Sequence, residues 1–156
     1  MTKHVLVAFD DSDNAMRAVD FVGTYLAKDC RITVFTILPD TEAICAMQSP
    51  ELTAYFKSQQ MTFCALEDQK KKLVEEALAR AKSILVGAGF EAGRIDLKAV
   101  PKKKGIAQDI ILEAGSGYDL LVMGRRGLSG VKDFFFGSIS QKVLHSLKDV
   151  SVLVIN

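Results

Sequence analysis

Short, β-branched apolar runs alternate along this chain with longer stretches in which apolar residues recur at helical spacing. The apolar runs predict five strands, at residues 4–9, 31–38, 94–100, 119–123 and 151–155. The stretches between them predict helices at about 13–28, 62–86, 106–114 and 138–147. Strands that alternate with helices in this way build a parallel sheet with helices on both of its faces.

The order of the strands follows from the connections. Parallel strands joined by right-handed crossovers are most simply arranged in the order 3-2-1-4-5. We therefore predict an α/β fold with an open, doubly wound parallel five-stranded sheet, in one domain over residues 1–156. The winding direction changes between the first and fourth strands, and open sheets bind ligands beyond the carboxyl ends of the strands at that point. Asp10 and Gly124 follow these two strands.

Other parts of the pattern are less regular. Residues 39–60, which include Pro39 and Pro50, are interpreted as a long excursion with one helical turn after Pro50. Ser12 or Asp13 is expected to cap the first helix. The apolar stripe of the first helix is predicted to be Ala15, Ala18, Val19, Val22, Tyr25 and Leu26. The stripe of the long helix is predicted to be Leu66, Leu73, Ala77, Ala81, Ile84 and Leu85.

Charge and cysteine content restrict the classes of function. Lysine and arginine number 20 against 19 aspartates and glutamates, a balance that argues against a nucleic-acid partner. Three cysteines, at 30, 45 and 64, are an odd number and lie far apart in sequence, which supports neither a zinc site nor a disulfide framework, so buried or idle thiols in a reducing compartment are expected. The first apolar run stops at Asp10, far short of a membrane span, which predicts a cytoplasmic protein with no membrane partner.

The segment from Met123 to Ser140 carries the chemistry. Gly124 directly follows an apolar strand, Gly127 comes three residues later, and Gly137 with Ser138 opens the next helix. Glycines let a backbone approach phosphate closely, and free amides in the first turn of a helix bind anions. Positive charge is added by Arg125, Arg126 and Lys132. The chain lacks the Gly-Lys-Ser or Gly-Lys-Thr of a Walker A loop.

The spacing Gly124-x2-Gly127-x9-Gly137-Ser138 resembles the nucleotide motif of the ATP-binding branch of the universal stress protein family. The likeness extends over essentially the whole chain. It includes the Asp that ends the first strand, the Ile-Leu-Pro that ends the second, the Gly-Ile-Ala that opens the third helix, and the valine-rich last strand. Ser151 departs from the family pattern, which often has proline before the last strand.

The resemblance implies ATP with Mg²⁺ as ligands, and a homodimer formed through the last strand. That strand is also expected at a sheet edge, where an unprotected apolar strand favours pairing with a second copy. Asp10 is implied to contact the nucleoside side and the metal, and Ile37 to contact adenine through its backbone. The implied nucleotide-binding residues are Ala8, Phe9, Asp10, Ile37, Met123, Gly124, Arg125, Arg126, Gly127, Gly137, Ser138, Ile139 and Ser140.

Three classes of function are compatible with these features. The first is an ATP-binding regulatory module with at most slow hydrolysis, because the loop offers no obvious general base. The second is a dimeric scaffold that acts through protein contacts without nucleotide, although the intact glycine motif argues against it. The third is a phosphatase or receiver domain, suggested by the aspartates after the first strand. A receiver also needs an aspartate and a lysine where this chain has Val100-Pro101 and Asn156.

Overall fold

The computed structural model describes residues 2–10, 12–48, 53–125 and 138–156. Its five strands form one parallel sheet in the order β3-β2-β1-β4-β5. They are β1 (His4–Ala8), β2 (Arg31–Leu38), β3 (Ile95–Pro101), β4 (Leu120–Gly124) and β5 (Ser151–Ile155). The predicted α/β class, parallel pairing and strand order are confirmed.

The helices of the described residues are α1 (Asp13–Tyr25), α2 (Glu42–Cys45), α3 (Ala54–Gly87), α4 (Ile106–Ala114) and α5 (Ser138–Ser146), with a short 3-10 turn at Ala92–Arg94. Within this described part of the chain, no helix is both long and apolar enough to cross a membrane.

Two apolar layers hold the helices on opposite faces of the sheet. On one face, Val5, Val7 and Val34 pack under α1 and α3. On the other face, Leu6 and Phe35 pack under α4 and α5. Successive residues of β1 therefore point to opposite layers, as the period of two along a strand requires. Both faces of the strand are buried, which explains its continuous apolar run.

Helix α1 begins as the sequence predicts. Ser12 is its N-cap, and the Ser12 hydroxyl accepts a hydrogen bond of 3.1 Å from the amide of Ala15. Four residues of the predicted stripe are buried: Ala15, Ala18, Val19 and Val22. Tyr25 was expected in that stripe but is 71% exposed. Helix α1 ends at Tyr25, beyond the turns that lie under the core layer.

Helix α3 is longer than predicted and only its second half contributes to the core. It starts at Ala54 instead of 62, so its first turns occupy part of the expected excursion. Leu66 and Leu73 were predicted to be core residues but are 52% and 57% exposed, whereas Leu78 is buried. A helix of 34 residues is about 51 Å long, roughly twice the ~26 Å of an eight-residue strand. The sheet is therefore too short to cover the whole helix.

The expectation of three idle thiols is wrong for two of them. Cys45 and Cys64 form a disulfide bond with a Cα–Cα distance of 5.9 Å. The two residues are 19 apart in sequence and meet because α2 folds back onto the third turn of α3. Sequence spacing alone does not indicate this pairing. Cys30 is a buried free thiol, as expected, and burial raises its pKa.

Candidate functional site

A cleft opens at the carboxyl edge of the sheet between β1 and β4, where the winding direction changes. Its position agrees with the one that the strand order predicts. The lining residues come from β1 and its C-terminal extension, α1, β2, β4, α4 and α5. They are Ala8, Phe9, Asp10, Ser12, Ala15, Phe35, Ile37, Ile106, Ile110, Met123, Gly124, Ile139 and Ser140.

Eight of the residues singled out from the sequence lie together in this lining: Ala8, Phe9, Asp10, Ile37, Met123, Gly124, Ile139 and Ser140. Ser138 and Arg125 lie just outside it. Ser138 is the exposed first residue of α5. The Arg125 amide donates to the carbonyl of Ile155 at 2.7 Å, and its guanidinium donates to the Asn156 side chain at 3.2 Å. Arg126, Gly127 and Gly137 lie outside the described residues.

The acidic end of the cleft is fixed by backbone hydrogen bonds. The amide of Phe9 donates to the carbonyl of Phe35 at 2.8 Å, which continues the pairing of β1 with β2 by one residue. Oδ1 of Asp10 accepts the amide of Ser12 at 3.1 Å. The carboxylate of Asp10 thus stands at the mouth of the cleft, in an orientation set by the start of α1.

The opposite wall depends on Gly124 and Ser140. A Cβ atom on Gly124 would lie 2.8 Å from Cβ and 2.9 Å from the carbonyl carbon of Asn14, which is closer than real contacts allow. The buried hydroxyl of Ser140 lies 3.3 Å from the carbonyl oxygen of Gly124 and 3.2 Å from that of Arg125. Helix α5 is thereby fastened to the end of β4. Gly124 and Ser140 therefore have structural roles, besides the phosphate-binding roles that the sequence predicts for them.

An apolar wall of the cleft was missed in part by the sequence analysis. Phe35, Ile106 and Ile110 line the cleft beside Ile37 and Met123. Phe35 is two residues before Ile37, so strand alternation could have placed it on the same face. Ile106 and Ile110 are four residues apart on α4, and this spacing indicates one helical face without indicating what that face contacts.

The first turn of α4 is anchored by an internal carboxylate. Asp109 accepts the amides of Lys103 at 2.8 Å and Lys104 at 3.0 Å. The hydrogen bond from the Lys103 amide is the main reason that the pKa of Asp109 lies below its ordinary value of 3.8. Gly105 precedes the helix with φ of 134°, a conformation that other residues rarely adopt. This arrangement sets the position of Ile106 and Ile110 against the cleft.

Asp10 is the one charged residue among the described lining residues. In the described ranges, no group of three or more His, Cys, Asp or Glu side chains converges as a metal centre would require. With Asp10 as the one acidic side chain among the described lining residues, further oxygen ligands for a cation there could come from a bound ligand or from water. Mg²⁺ is commonly bound in this way, by one or two carboxylates together with substrate phosphates.

Comparison with known proteins gives a consistent assignment. The model of the universal stress protein family matches residues 1–156. The universal stress protein YxiE of Bacillus subtilis strain 168 is 30% identical over 156 residues, which make up 99% of each chain. Two solved structures share the fold. They are UspA of Lactobacillus plantarum (TM-score 0.67, 18% identity, covering 99% of this chain and 97% of that one) and a universal stress protein in complex with cAMP (TM-score 0.64, 22% identity, 99% and 97%). The chain belongs to the universal stress protein family.

Proposed function

We propose that this protein is a regulatory module that binds ATP with Mg²⁺ in the cleft between β1 and β4 and hydrolyses it slowly or not at all. The observation that carries the proposal is the composition of the cleft. Among its described lining residues, an apolar wall and one carboxylate share the same cleft at the carboxyl edge of a doubly wound sheet. Ligand sites of this kind combine apolar surface with a few placed polar groups.

The apolar wall suits the adenine base. Phe35, Ile37, Ile110 and Met123 supply a surface that is buried or half-buried. Burial of a flat aromatic ring against such side chains is favoured by about 25 cal/mol for each Å² removed from water. The backbone of Ile37 is expected to contact the edge of the adenine ring. Ile106, which belongs to α4, completes the apolar wall.

Asp10 suits the cation that accompanies the phosphates. A carboxylate beside bare phosphates would repel them, whereas a shared Mg²⁺ turns that repulsion into attraction. The glycine motif at Gly124, Gly127 and Gly137, the first turn of α5 at Ser138, and Arg125 and Arg126 are proposed to hold the phosphate chain. Amides at the start of a helix bind anions.

Slow turnover follows from the groups in the cleft. Among its described lining residues, Asp10 is the one carboxylate, and in this proposal it is committed to the metal. No other acidic or histidine side chain of the described lining is then left to position the attacking water as a base, and hydrolysis is expected far below the usual enzyme range of about 1–1000 per second. Such a module would respond to the presence of bound nucleotide without hydrolysing it rapidly.

One comparison supports an adenine ligand. A protein of the same fold was solved with cAMP, which is also an adenine nucleotide. The proposal is tested by denaturing freshly purified protein and identifying the small molecules released. Adenine nucleotide in near-equal amount to protein is expected. Protein that releases none, and that binds none when ATP and Mg²⁺ are added, would exclude the proposal.

A dimeric scaffold without nucleotide is the second candidate. It is favoured by exposed apolar side chains on the part of α3 that does not cover the sheet, such as Tyr55, Phe56 and Met61. Surfaces of this type mark protein contacts. Failure of all adenine nucleotides to bind, with a dimer retained in solution, would favour this function.

A further inference from the structure

The disulfide bond between Cys45 and Cys64 joins two residues that are not buried. It joins the last residue of α2 to the third turn of α3. Cys45 is exposed and Cys64 is half-buried. Exchange requires access of the attacking thiolate to a sulfur atom, and exposed disulfides are the reactive ones in proteins.

Among the described residues, few contacts besides this bond hold helix α2 in place. It has four residues, none of them is buried, and the side chain of its N-cap Thr41 makes no capping hydrogen bond. The side-chain amide of Gln60 on α3 donates to the carbonyls of Ile44 and Met47. A single helical turn is unstable by itself, because one or two backbone hydrogen bonds do not offset the entropy of fixing the chain.

The rest of the fold does not depend on the bond. Of the described residues between 39 and 73, none belongs to either apolar layer of the core, and the layer under α3 begins with Val74. Opening of the disulfide would therefore loosen α2 and the first three turns of α3, Ala54–Cys64, while the sheet stays intact. We call these two pieces together the bridged segment.

The third cysteine is separated from this chemistry. Cys30 is 7% exposed and packs in the layer under α1 and α3. Burial and the nearby Asp29 carboxylate raise the pKa of its thiol, which disfavours the reactive thiolate. Cys30 therefore does not compete as an exchange partner for the other two.

We propose that Cys45 and Cys64 form a redox-active site, a reversible dithiol–disulfide couple whose reaction partner is a dithiol reductant. One thiolate of the reductant attacks Sγ of Cys45, the sulfur–sulfur bond breaks, and Cys64 leaves as a thiolate and takes a proton. The second thiol of the reductant then displaces Cys45, which leaves as a thiol. Two electrons and two protons reach the protein, and the reductant becomes a disulfide. The reverse reaction, with a disulfide oxidant, closes the bond again.

The consequence of the reaction is a change in an apolar surface. The bridged segment and the turn beside it carry Ile44, Met47, Tyr55, Phe56, Met61 and Phe63, all of them exposed. The oxidised state holds these side chains in one arrangement. The reduced state frees α2 from α3 and disperses them. The couple thus controls the presentation of this surface independently of the nucleotide cleft.

Hydrogen exchange of the full chain tests the proposal. The Cys30→Ala variant is used, so that the two remaining cysteines are the pair itself. Alkylation of unfolded protein is expected to count no thiols after air oxidation and two after treatment with dithiothreitol. On reduction, amides of Cys45, Ala46 and Lys57, which donate to carbonyls one turn earlier, should exchange between about tenfold and 100-fold faster. Amides of Phe9 and Ala88 should not change.

The Cys45→Ser and Cys64→Ser variants are the matched controls. Each should exchange at the fast rate in the bridged segment whether or not the reductant is present. Two free thiols in air-oxidised protein would overturn the proposal. It would also be overturned by equal exchange in the two states, or by acceleration that spreads through β1 and β4. None of these outcomes depends on whether ATP binds.

Discussion

The backbone of Gly124, at the end of β4, lies against Asn14 in the first turn of α1 with no room for a side chain between them. A Cβ atom at residue 124 would lie 2.9 Å from the carbonyl carbon and 3.0 Å from the carbonyl oxygen of Asn14. Because the opposing atoms belong to backbone, they cannot turn aside. The glycine after the fourth strand is therefore required by helix–strand packing, whatever it does for a ligand.

Gly124→Ala is expected to destabilise the protein by about 1–3 kcal/mol through overpacking. Chemical denaturation of both proteins measures the change. Gly93→Ala is the matched control, since nothing lies within 4 Å of a Cβ there and its φ is not positive. Equal stability of the two variants would show that the contact with Asn14 is not restrictive.

The two serines of α5 are expected to respond differently. Ser140→Ala leaves the carbonyls of Gly124 and Arg125 without their buried donor and should lower stability by about 1–3 kcal/mol. Ser138→Ala changes an exposed residue and should leave stability nearly unchanged. In our proposal it weakens ATP binding by about 1–2 kcal/mol, or roughly five- to thirtyfold. Chemical denaturation measures the stability of both variants, and calorimetry measures their affinity for ATP. A larger loss of stability in Ser138→Ala than in Ser140→Ala would contradict these roles.

Acid should weaken the hydrogen bonds through which the Asp109 carboxylate anchors the start of α4. The folded state lowers the pKa of Asp109 below its ordinary value of 3.8, chiefly through the amide of Lys103. The folded protein therefore holds the proton less tightly than the unfolded chain. The resulting stability is fully present above about pH 4 and is lost as the pH falls through the lowered pKa.

Asp109→Asn should consequently lower the unfolding midpoint at pH 7, and by progressively less as the pH falls below about 4. The pKa of Asp119 is also lowered, chiefly by the amide of His4, so the comparison must be made between variant and wild type. A midpoint difference that does not shrink in acid would contradict this role of the carboxylate.

A homodimer through β5 remains our prediction. The strand is at one edge of the sheet, and in the described part of the chain its one partner strand is β4. Its four apolar residues from Val152 to Ile155 are half-buried. Sedimentation at tens of micromolar should show a dimer, and Val152→Lys should shift it toward monomer. Leu97→Lys on β3, an exposed residue at the other edge, should not. A wild-type monomer at that concentration would contradict the prediction.

Much of the fold could be predicted because its signals are local. The observed bounds match the prediction for the strands at 31–38 and 151–155 and for the helix at 106–114. There, the apolar runs and the helical spacing begin or end next to proline, glycine or serine residues, which mark the ends of elements. The first turns of α3 were missed because the residues there form no apolar stripe that faces a core. Helix α2 and its disulfide were missed because pairing of Cys45 with Cys64 depends on how two elements meet in space.

The candidate site was predicted through the strand order, which brought Asp10 and Gly124 to one cleft. Phe35 lies on β2 and could have been placed in the lining by its alternation with Ile37. Ile106 and Ile110 were missed for a different reason, since they enter the cleft from α4, whose tilt and distance from the sheet the sequence does not specify. The conformation of Gly105 and the carboxylate of Asp109 set that distance.

The central claim is tested most directly by calorimetric titration of ligand-free protein with ATP and Mg²⁺. Wild-type protein should bind with a dissociation constant below about 1 mM, equivalent to about −4 kcal/mol. Asp10→Ala should weaken binding by at least about tenfold, or ~1.4 kcal/mol, because Asp10 lines the cleft. Asp13→Ala, in the first turn of α1 and outside that lining, should bind nearly as wild type does. Absence of binding by the wild-type protein up to several times that concentration, or equal losses in the two variants, would contradict our account of the cleft.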